Sequence, residues 1–466
     1  MIKQLILILY NHFLIMRHFC GIYAANYYDN YFENLQKLQH RGLDGSGISY
    51  ICNNNIIVYK KIGTVKEIYD NYEIPKNKEN NFIIGHTRYS TIRKNISADK
   101  MNELHPFKDE CHLGYFSIAH NGNIANIEKL KAKYNISNDN SSDTLILVDI
   151  IKIFSENSEN WDEIFIKFMN EITGTYCLVI LTQNNIYCMR DRYGLRPLCL
   201  GILNEKICVA SETCAIDNYS RDINAGEIIK INENSVKTIY QFAYNIPKFC
   251  SFEYIYFLRK ESIIDGKIVN NIRYNCGKIL GNNEEIQADI TLCLPSTAIS
   301  GAKGFAFSTN TKFKNYIEKN KLATRTFILP SDEERKKMCN DKFILNIEKL
   351  RGKNIYLVDD SIVRGNTMEA IIKKLQGIVK EIHIRILSPP IISECYHGID
   401  MANKNELIAY DNINKKPENI DNICKKIGAT SLKFMTIDML QNALGKKNKI
   451  CTSCFDGIYC NELLDW

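Results

Sequence analysis

The sequence predicts a two-part α/β protein: an α+β unit of layered sheets covered by helices, then an α/β unit built on a parallel sheet. Three observations carry this. From Ile22 to about Tyr240, short apolar runs such as NFIIGHTRYS, YFSIAHNGN and TYCLVILTQNNIYCMRD are punctuated by Gly, Asn and Asp, the pattern of antiparallel strands joined by tight turns. From about Ser262, helical segments alternate with the runs ADITLCLP, NIYLVDD and EIHIRILS, the rhythm of a parallel sheet with crossover helices. At 466 residues, 45% of them hydrophobic, the chain is long enough to bury more than one core.

The first sixteen residues, MIKQLILILYNHFLIM, carry a charge at Lys3 and an apolar stretch broken at Asn11 and His12. That stretch is far short of the roughly 20 residues needed to cross a bilayer. Arg17, His18 and Phe19 stand where a lipid-attachment site needs small residues, so residues 1–19 read as a leader that is removed, or as an early start with Met16 the true initiator. Helices are expected near 29–38 and 143–154. The boundary between the two units falls in 241–262, and the last forty residues read as helix followed by an irregular, cysteine-containing tail. The expected division is a leader over 1–19, a first domain over 20–250, a second over 260–430 and a tail over 431–466.

A net charge of +6, with Lys mixed among Asp and Glu, leaves no nucleic-acid footprint, and nothing points to a membrane. Seventeen cysteines is an odd count, and Cys177 and Cys208 lie inside apolar runs. They read as buried thiols of a reducing compartment, hence a cytoplasmic protein.

The most specific string is NIYLVDDSIVRGNTMEAIIKKL, 354–375. An apolar strand delivers Asp359 and Asp360 to its carboxyl end, where ligands of open α/β sheets bind. A loop with Gly365 and a helix capped by Asn366 or Thr367 follow. Amides of such a loop cradle a phosphate, and the paired acids suit sugar hydroxyls or a hydrated cation. The plainer reading is a strand ending in an acidic turn. VDDSIVRGNT resembles the phosphoribosyl-pyrophosphate motif of the type I phosphoribosyltransferases. The resemblance implies that Asp359 and Asp360 hold ribose hydroxyls and Mg²⁺, while Ser361, Ile362, Val363, Arg364, Gly365, Asn366 and Thr367 wrap the 5-phosphate.

Cys20, before Gly21, has four readings on its own: core filler, lipid anchor, metal ligand, or nucleophile freed at a trimmed chain start. HRGLDGSG (40–47), IGHTRYST (84–91), AHNGNIAN (119–126) and SSDT (141–144) place polar groups at the ends of apolar strands. If the cysteine becomes residue one, its own α-amine, with a solution pKa near 8, serves as base toward its thiol. These strings, in this order, resemble the class II glutamine amidotransferases, of the Ntn-hydrolase αββα sandwich fold, over about 20–240. The resemblance implies that Cys20 attacks the glutamine amide, Asn121 and Gly122 form the oxyanion hole, Arg88 grips the α-carboxylate and Asp143 holds the α-ammonium. Singly, each has a plainer reading: Arg88 a surface ion pair, Asn121–Gly122 a hairpin turn, Asp143 a helix cap.

Together the halves resemble the glutamine phosphoribosylpyrophosphate amidotransferase family, with MRDRYGLRPLCLG (189–201), CSFEYIYFLR (250–259), RTFILPSDEERKKM (325–338) and HGIDMANKNELIA (397–409) as further matches. The implied chemistry is glutamine hydrolysis, enclosed transfer of ammonia, and its attack on phosphoribosyl pyrophosphate to form 5-phosphoribosylamine, the first committed step of de novo purine synthesis. The family also implies a homo-oligomer, purine nucleotides as feedback inhibitors, and a mobile flap over 312–342 with Arg325 and Lys342 touching the sugar phosphate. One departure is PSTA, 295–298, in place of PDSG: Ser296 replaces an acid and Thr297 the serine placed near Mg²⁺. A drifted homologue with a weakened transferase half is the alternative this raises. CTSC, 451–454, is half a metal site. The family's cluster-bearing subset places 4Fe-4S ligands at positions matching Cys250, Cys395, Cys451 and Cys454, with a Cys₄ zinc site the inorganic alternative.

Overall fold

The structure, a computed structural model, describes residues 20–72, 82–89, 99–137, 142–243, 246–320, 343–399, 401 and 403–460. The leader over 1–19, and Arg325 and Lys342 of the expected flap, lie outside the described residues.

The first half is two antiparallel sheets sandwiched between helices. One has the order Tyr219–Asp222, Cys199–Leu203, Lys206–Ala210, Gly21–Ala25, Ile83–Arg88, Gly45–Cys52, Asn55–Ile62. The other runs Val236–Gln241, Glu227–Ile231, Ile186–Arg190, Gly174–Thr182, Gly114–Ile124, Phe107–Cys111. Strand periodicity explains the layering. Along Gly21–Ala25, Ile22 and Ala24 enter the core between the sheets, while Tyr23 and Ala25 face outward to the helix Tyr31–Lys37. Along Gly174–Thr182, Cys177, Val179 and Leu181 fill the same central core. Tyr176, Leu178 and Ile180 pack outward with the helices Asp143–Ser155 and Trp161–Glu171. Burial on both faces is why these strands are unbroken apolar runs. The expected helices near 29–38 and 143–154 are those at Tyr31–Lys37 and Asp143–Ser155.

The second half is a five-stranded parallel sheet in the order Lys312–Phe313, Ile290–Cys293, Asn354–Asp359, Glu381–Ile386, Ser431–Phe434. Tyr356 and Val358 pack on one face with helices Val269–Gly281 and Ile299–Ser308, and Ile355 and Leu357 on the other with Asn366–Leu375 and Ile420–Ile427. Strand order reverses between Ile290–Cys293 and Asn354–Asp359, which opens a crevice at their carboxyl ends. Ser431–Phe434, past the expected limit at 430, is the fifth strand. The tail also returns to the junction of the halves, where Phe249–Cys250 pairs in parallel with Ile450–Cys451. Every described cysteine is a free thiol, and among the described residues no helix is long and apolar enough to cross a membrane.

Candidate active site

The Gly21–Ala25 strand pairs with Ile83–Arg88 in the register Gly21↔Thr87, which brings Cys20 to the end of the sheet beside Arg88. The Cys20 main-chain N–H donates to Asn121 Oδ1 at 3.3 Å. With its oxygen engaged there, Asn121 presents Nδ2, which is buried and without a hydrogen-bond partner among the described residues. Asn121 and Gly122 are not a hairpin turn: they lie inside the Gly114–Ile124 strand, opposite Cys177 and Tyr176. Asp143 is the first residue of its helix, with Ser142 at the cap position. Its Oδ2 accepts the Ile124 N–H at 3.2 Å, and its Oδ1 lies 3.6 Å from His120 Nδ1. The structure thus brings Cys20, Arg88, Asn121, Gly122 and Asp143 together from four separate stretches of chain.

Cys20 is 1% exposed. Burial pushes its thiol up to about 11, against the opposing pull of the Tyr89 N–H and the guanidinium groups of Arg88, Arg41 and Arg196. The Cys20 side chain therefore rests as a thiol at neutral pH, and a nucleophilic role for it requires a base. Arg88 is not a surface residue. Its guanidinium is buried and donates to the main-chain oxygen and the carboxylate of Glu103, so a carboxylate already occupies its fork.

Sequence reasoning missed the buried charges behind Cys20. Arg41 donates from Nε to the Cys20 carbonyl at 3.1 Å, and it pairs with Glu212 at 2.6 Å and Glu253 at 2.9 Å. Arg196 lies 3.6 Å from Glu253 and donates to the His397 carbonyl at 2.8 Å, so the group joins both halves. Arg41 sits in the HRGLDGSG string and Glu253 in CSFEY, but nothing in one sequence pairs residues 212 positions apart.

In the second half, Asp359 ends its strand and Asp360 follows at the mouth of the crevice. Asp359 Oδ1 accepts the Asp360 N–H at 2.9 Å, and Asp360 Oδ1 accepts from Ser361 Oγ at 2.8 Å. Ile362 is buried in the sheet's core and Val363 packs against the opposite one, so both anchor the loop. Arg364 forks onto Glu406, both half exposed. The helix begins at Asn366, and Gly365 rather than Asn366 or Thr367 holds the cap position. It does so with φ 85°, a conformation glycine adopts without strain, and an added Cβ there would meet Ile408. Pro295 to Ala298 follow the neighbouring strand to the same end of the sheet.

The metal expectations are corrected. Among the described residues no group of three or more His, Cys, Asp or Glu side chains is arranged to hold a metal ion. At the crevice, Asp359 and Asp360 are two acids already bonded locally, and Thr297, where a third donor was expected, lines a cavity with Tyr254, Ile255 and Arg273. No Mg²⁺ site is supported by this set. Cys250, Cys395, Cys451 and Cys454 do line one cavity, together with Arg196 and His397. Burial drives the thiols of Cys250 and Cys454 well above the ordinary range and that of Cys451 up to about 11, and Cys451 Sγ lies 3.3 Å from Ser453 Oγ. Metal ligation requires thiolates. Among the described residues these four cysteines are not arranged as a metal-holding group, and neither a 4Fe-4S cluster nor a zinc ion is supported.

An αββα sandwich with a buried cysteine at its sheet end, followed by a parallel sheet with paired aspartates at its switch point, defines a glutamine amidotransferase joined to a phosphoribosyltransferase. The glutamine amidotransferase domain profile matches residues 91–218. The chain is 32% identical to the amidophosphoribosyltransferase of Methanocaldococcus jannaschii, over 95% of this chain and 98% of that one. It is 34% identical to that of Bacillus subtilis, over 93% and 91%. The solved B. subtilis glutamine phosphoribosylpyrophosphate amidotransferase, complexed with ADP and GMP, superposes with TM-score 0.84 at 32% identity, covering 95% of this chain and 98% of that chain. A second structure, of the allosteric regulatory enzyme of purine biosynthesis, gives 0.83 at 32% identity, over 94% and 96%. The chain belongs to the amidophosphoribosyltransferase family, which uses glutamine to aminate phosphoribosyl pyrophosphate in the first committed step of purine biosynthesis.

Proposed function

We propose that Cys20, freed as the first residue of the working chain, carries the glutamine half of this reaction, and that the loop 359–367 holds the sugar phosphate for the other half. The observation that carries the reading is the contact of the Cys20 main-chain nitrogen with Asn121 Oδ1, which leaves Asn121 Nδ2 as a buried donor beside the thiol. Once residues 1–19 are removed, that nitrogen is an amine. It takes the Sγ proton, and sulfur attacks the glutamine side-chain carbonyl. The developing oxyanion accepts hydrogen bonds from Asn121 Nδ2 and the Gly122 N–H, each donor contributing on the order of 3 kcal/mol. Ammonia leaves with the proton the amine returns, and water hydrolyses the thioester to glutamate. Arg88 takes the substrate α-carboxylate in place of Glu103, and Asp143 the α-ammonium.

Ammonia passes enclosed to the crevice, since in neutral water it would be protonated and no longer nucleophilic. There the paired acids hold ribose hydroxyls, and the amides from Ser361 to Thr367 hold the 5-phosphate at the helix start. Ammonia attacks the anomeric carbon and pyrophosphate departs. Burial of Ile362 and packing of the half-buried Val363 keep this loop in place. The protein works in the cytoplasm as a homo-oligomer under purine-nucleotide feedback, in keeping with the family. The test is to assay purified protein for phosphoribosyl-pyrophosphate-dependent glutaminase activity and for pyrophosphate release. Both are expected from one polypeptide. Glutaminase activity without pyrophosphate release would defeat the assignment of the second site.

A further inference from the structure

Among the described residues, the strand that carries Asn121 and Gly122 has a complete neighbour on one side only. Gly174–Thr182 pairs with it as far as Ile124, whereas Phe107–Cys111 pairs with it only between Gly114 and Ile118. Beyond Ile118 that edge has main-chain groups and, among the described residues, no strand to meet them. Side chains take the strand's place. The His120 N–H donates to His105 Nδ1 at 3.3 Å, and the His120 carbonyl accepts from His86 Nε2 at 3.2 Å. Four residues further on in the same alternation, the Ile124 N–H donates to Asp143 Oδ2. Alternate residues of a strand point their N–H groups to the same side. The Gly122 N–H, midway between those of His120 and Ile124, therefore faces this same edge, toward the place assigned to the oxyanion.

We propose that His86 and His105 are positioning residues for glutamine hydrolysis: two imidazoles standing in for a missing strand, clamping His120 so that the Gly122 N–H is aimed. The proposal rests on the reading of Gly122 as an oxyanion donor. The bonding dictates the tautomers. A carbonyl only accepts, so His86 carries its proton on Nε2; an N–H only donates, so His105 is bare at Nδ1 and neutral. His86, His105 and His120 are 1%, 6% and 2% exposed, and the His86 and His105 rings lie 4.5 Å apart, centroid to centroid. The pair is fixed as a unit. A continued strand would cover the Gly122 N–H, while two side chains hold His120, two residues before it, and leave the amide open to substrate.

The test uses the full-length processed enzyme and two assays, glutamine hydrolysis and ammonia-dependent phosphoribosylamine formation, the second reporting an intact fold. His105→Leu and His86→Leu remove the clamps. His105→Asn returns an acceptor near the Nδ1 position, and His86→Gln a donor near the Nε2 position. Each leucine variant is expected to lose roughly tenfold or more in kcat for glutamine with KM and ammonia-dependent activity unchanged, a fraction of what losing an oxyanion donor itself costs. The asparagine and glutamine variants are expected to recover to within about threefold of the parent. Leucine variants with undiminished kcat, or a loss in KM alone, would overturn the proposal. If a leucine variant loses both activities, His105→Asn and His86→Gln decide, and a comparable tenfold loss in those overturns it as well. Asn121→Ala separates the two levels: full hydrolysis in that variant defeats the oxyanion reading itself, whereas its loss alongside active leucine variants defeats only the clamp.

Discussion

Cys20 is a poor nucleophile as it stands, because burial holds its proton up to about 11. A freed α-amine near pKa 8 would be half deprotonated slightly above neutrality, so the rate of glutamine hydrolysis should climb with pH as that amine loses its proton. The expected profile of kcat/KM has a rising limb with an apparent pKa of roughly 7.5–8. A limb near 5 to 6 would point instead to a preformed thiolate. Cys20, Asn121, Gly122 and Asp143 could be named as candidates from sequence because each sits in a short string that resembles a family motif. Glu103 was not: its role in filling the Arg88 fork depends on a contact that no spacing rule announces.

At the scale of elements, the sheets were readable and their edges were not. Alternation identifies the Gly114–Ile124 run as a strand, but it cannot say that its neighbour stops at Ile118, and that early stop creates the open edge. The plainer reading of Asn121–Gly122 as a hairpin turn has a local cause: Asn-Gly is a strong hairpin signal, and pairing with Gly174–Thr182 overrides it. Gly122 cannot be enlarged, because an added Cβ would overlap the Thr175 carbonyl and its φ of 154° disfavours a side chain. Gly122→Ala should therefore displace the donor and reduce glutaminase kcat by about 100-fold, measured against ammonia-dependent activity retained in the same preparation. In the second half, the strand, double aspartate and Gly365 were legible as one unit; the capping residue was misassigned because glycine replaces a side-chain cap.

Across the whole molecule, the two halves are joined by buried charge. Arg41 reaches the Cys20 carbonyl, Glu253 begins the segment entering the second half, and Arg196 reaches the main chain at His397. Although burial alone would raise the Glu212 carboxyl, hydrogen bonding and charge from His40 and Arg41, with the Arg259 N–H, hold it well below the usual carboxylate range. Its contribution to stability is thus complete above the ordinary value of 4.5 and is lost as pH falls from there through the lower folded value. Glu212→Gln should flatten the dependence of unfolding free energy on pH below about 4.5, read from denaturant melts across that range. It should also destabilise the protein at pH 7 by roughly 3 kcal/mol, because Arg41 loses a buried partner. None of this network was legible, since its members come from four distant strings. The cysteine tail shows the converse: the motif match named four cysteines that do line one cavity, but among the described residues they are not arranged as a metal-holding group, a geometry no spacing rule conveys.

The central claim is that the amine of Cys20 is the base for its own thiol. The intact mass of purified, glutamine-active protein tests it most directly. The account predicts a chain that begins at Cys20, with residues 1–19 gone. Fully active enzyme that still carries any residue ahead of Cys20 would contradict it.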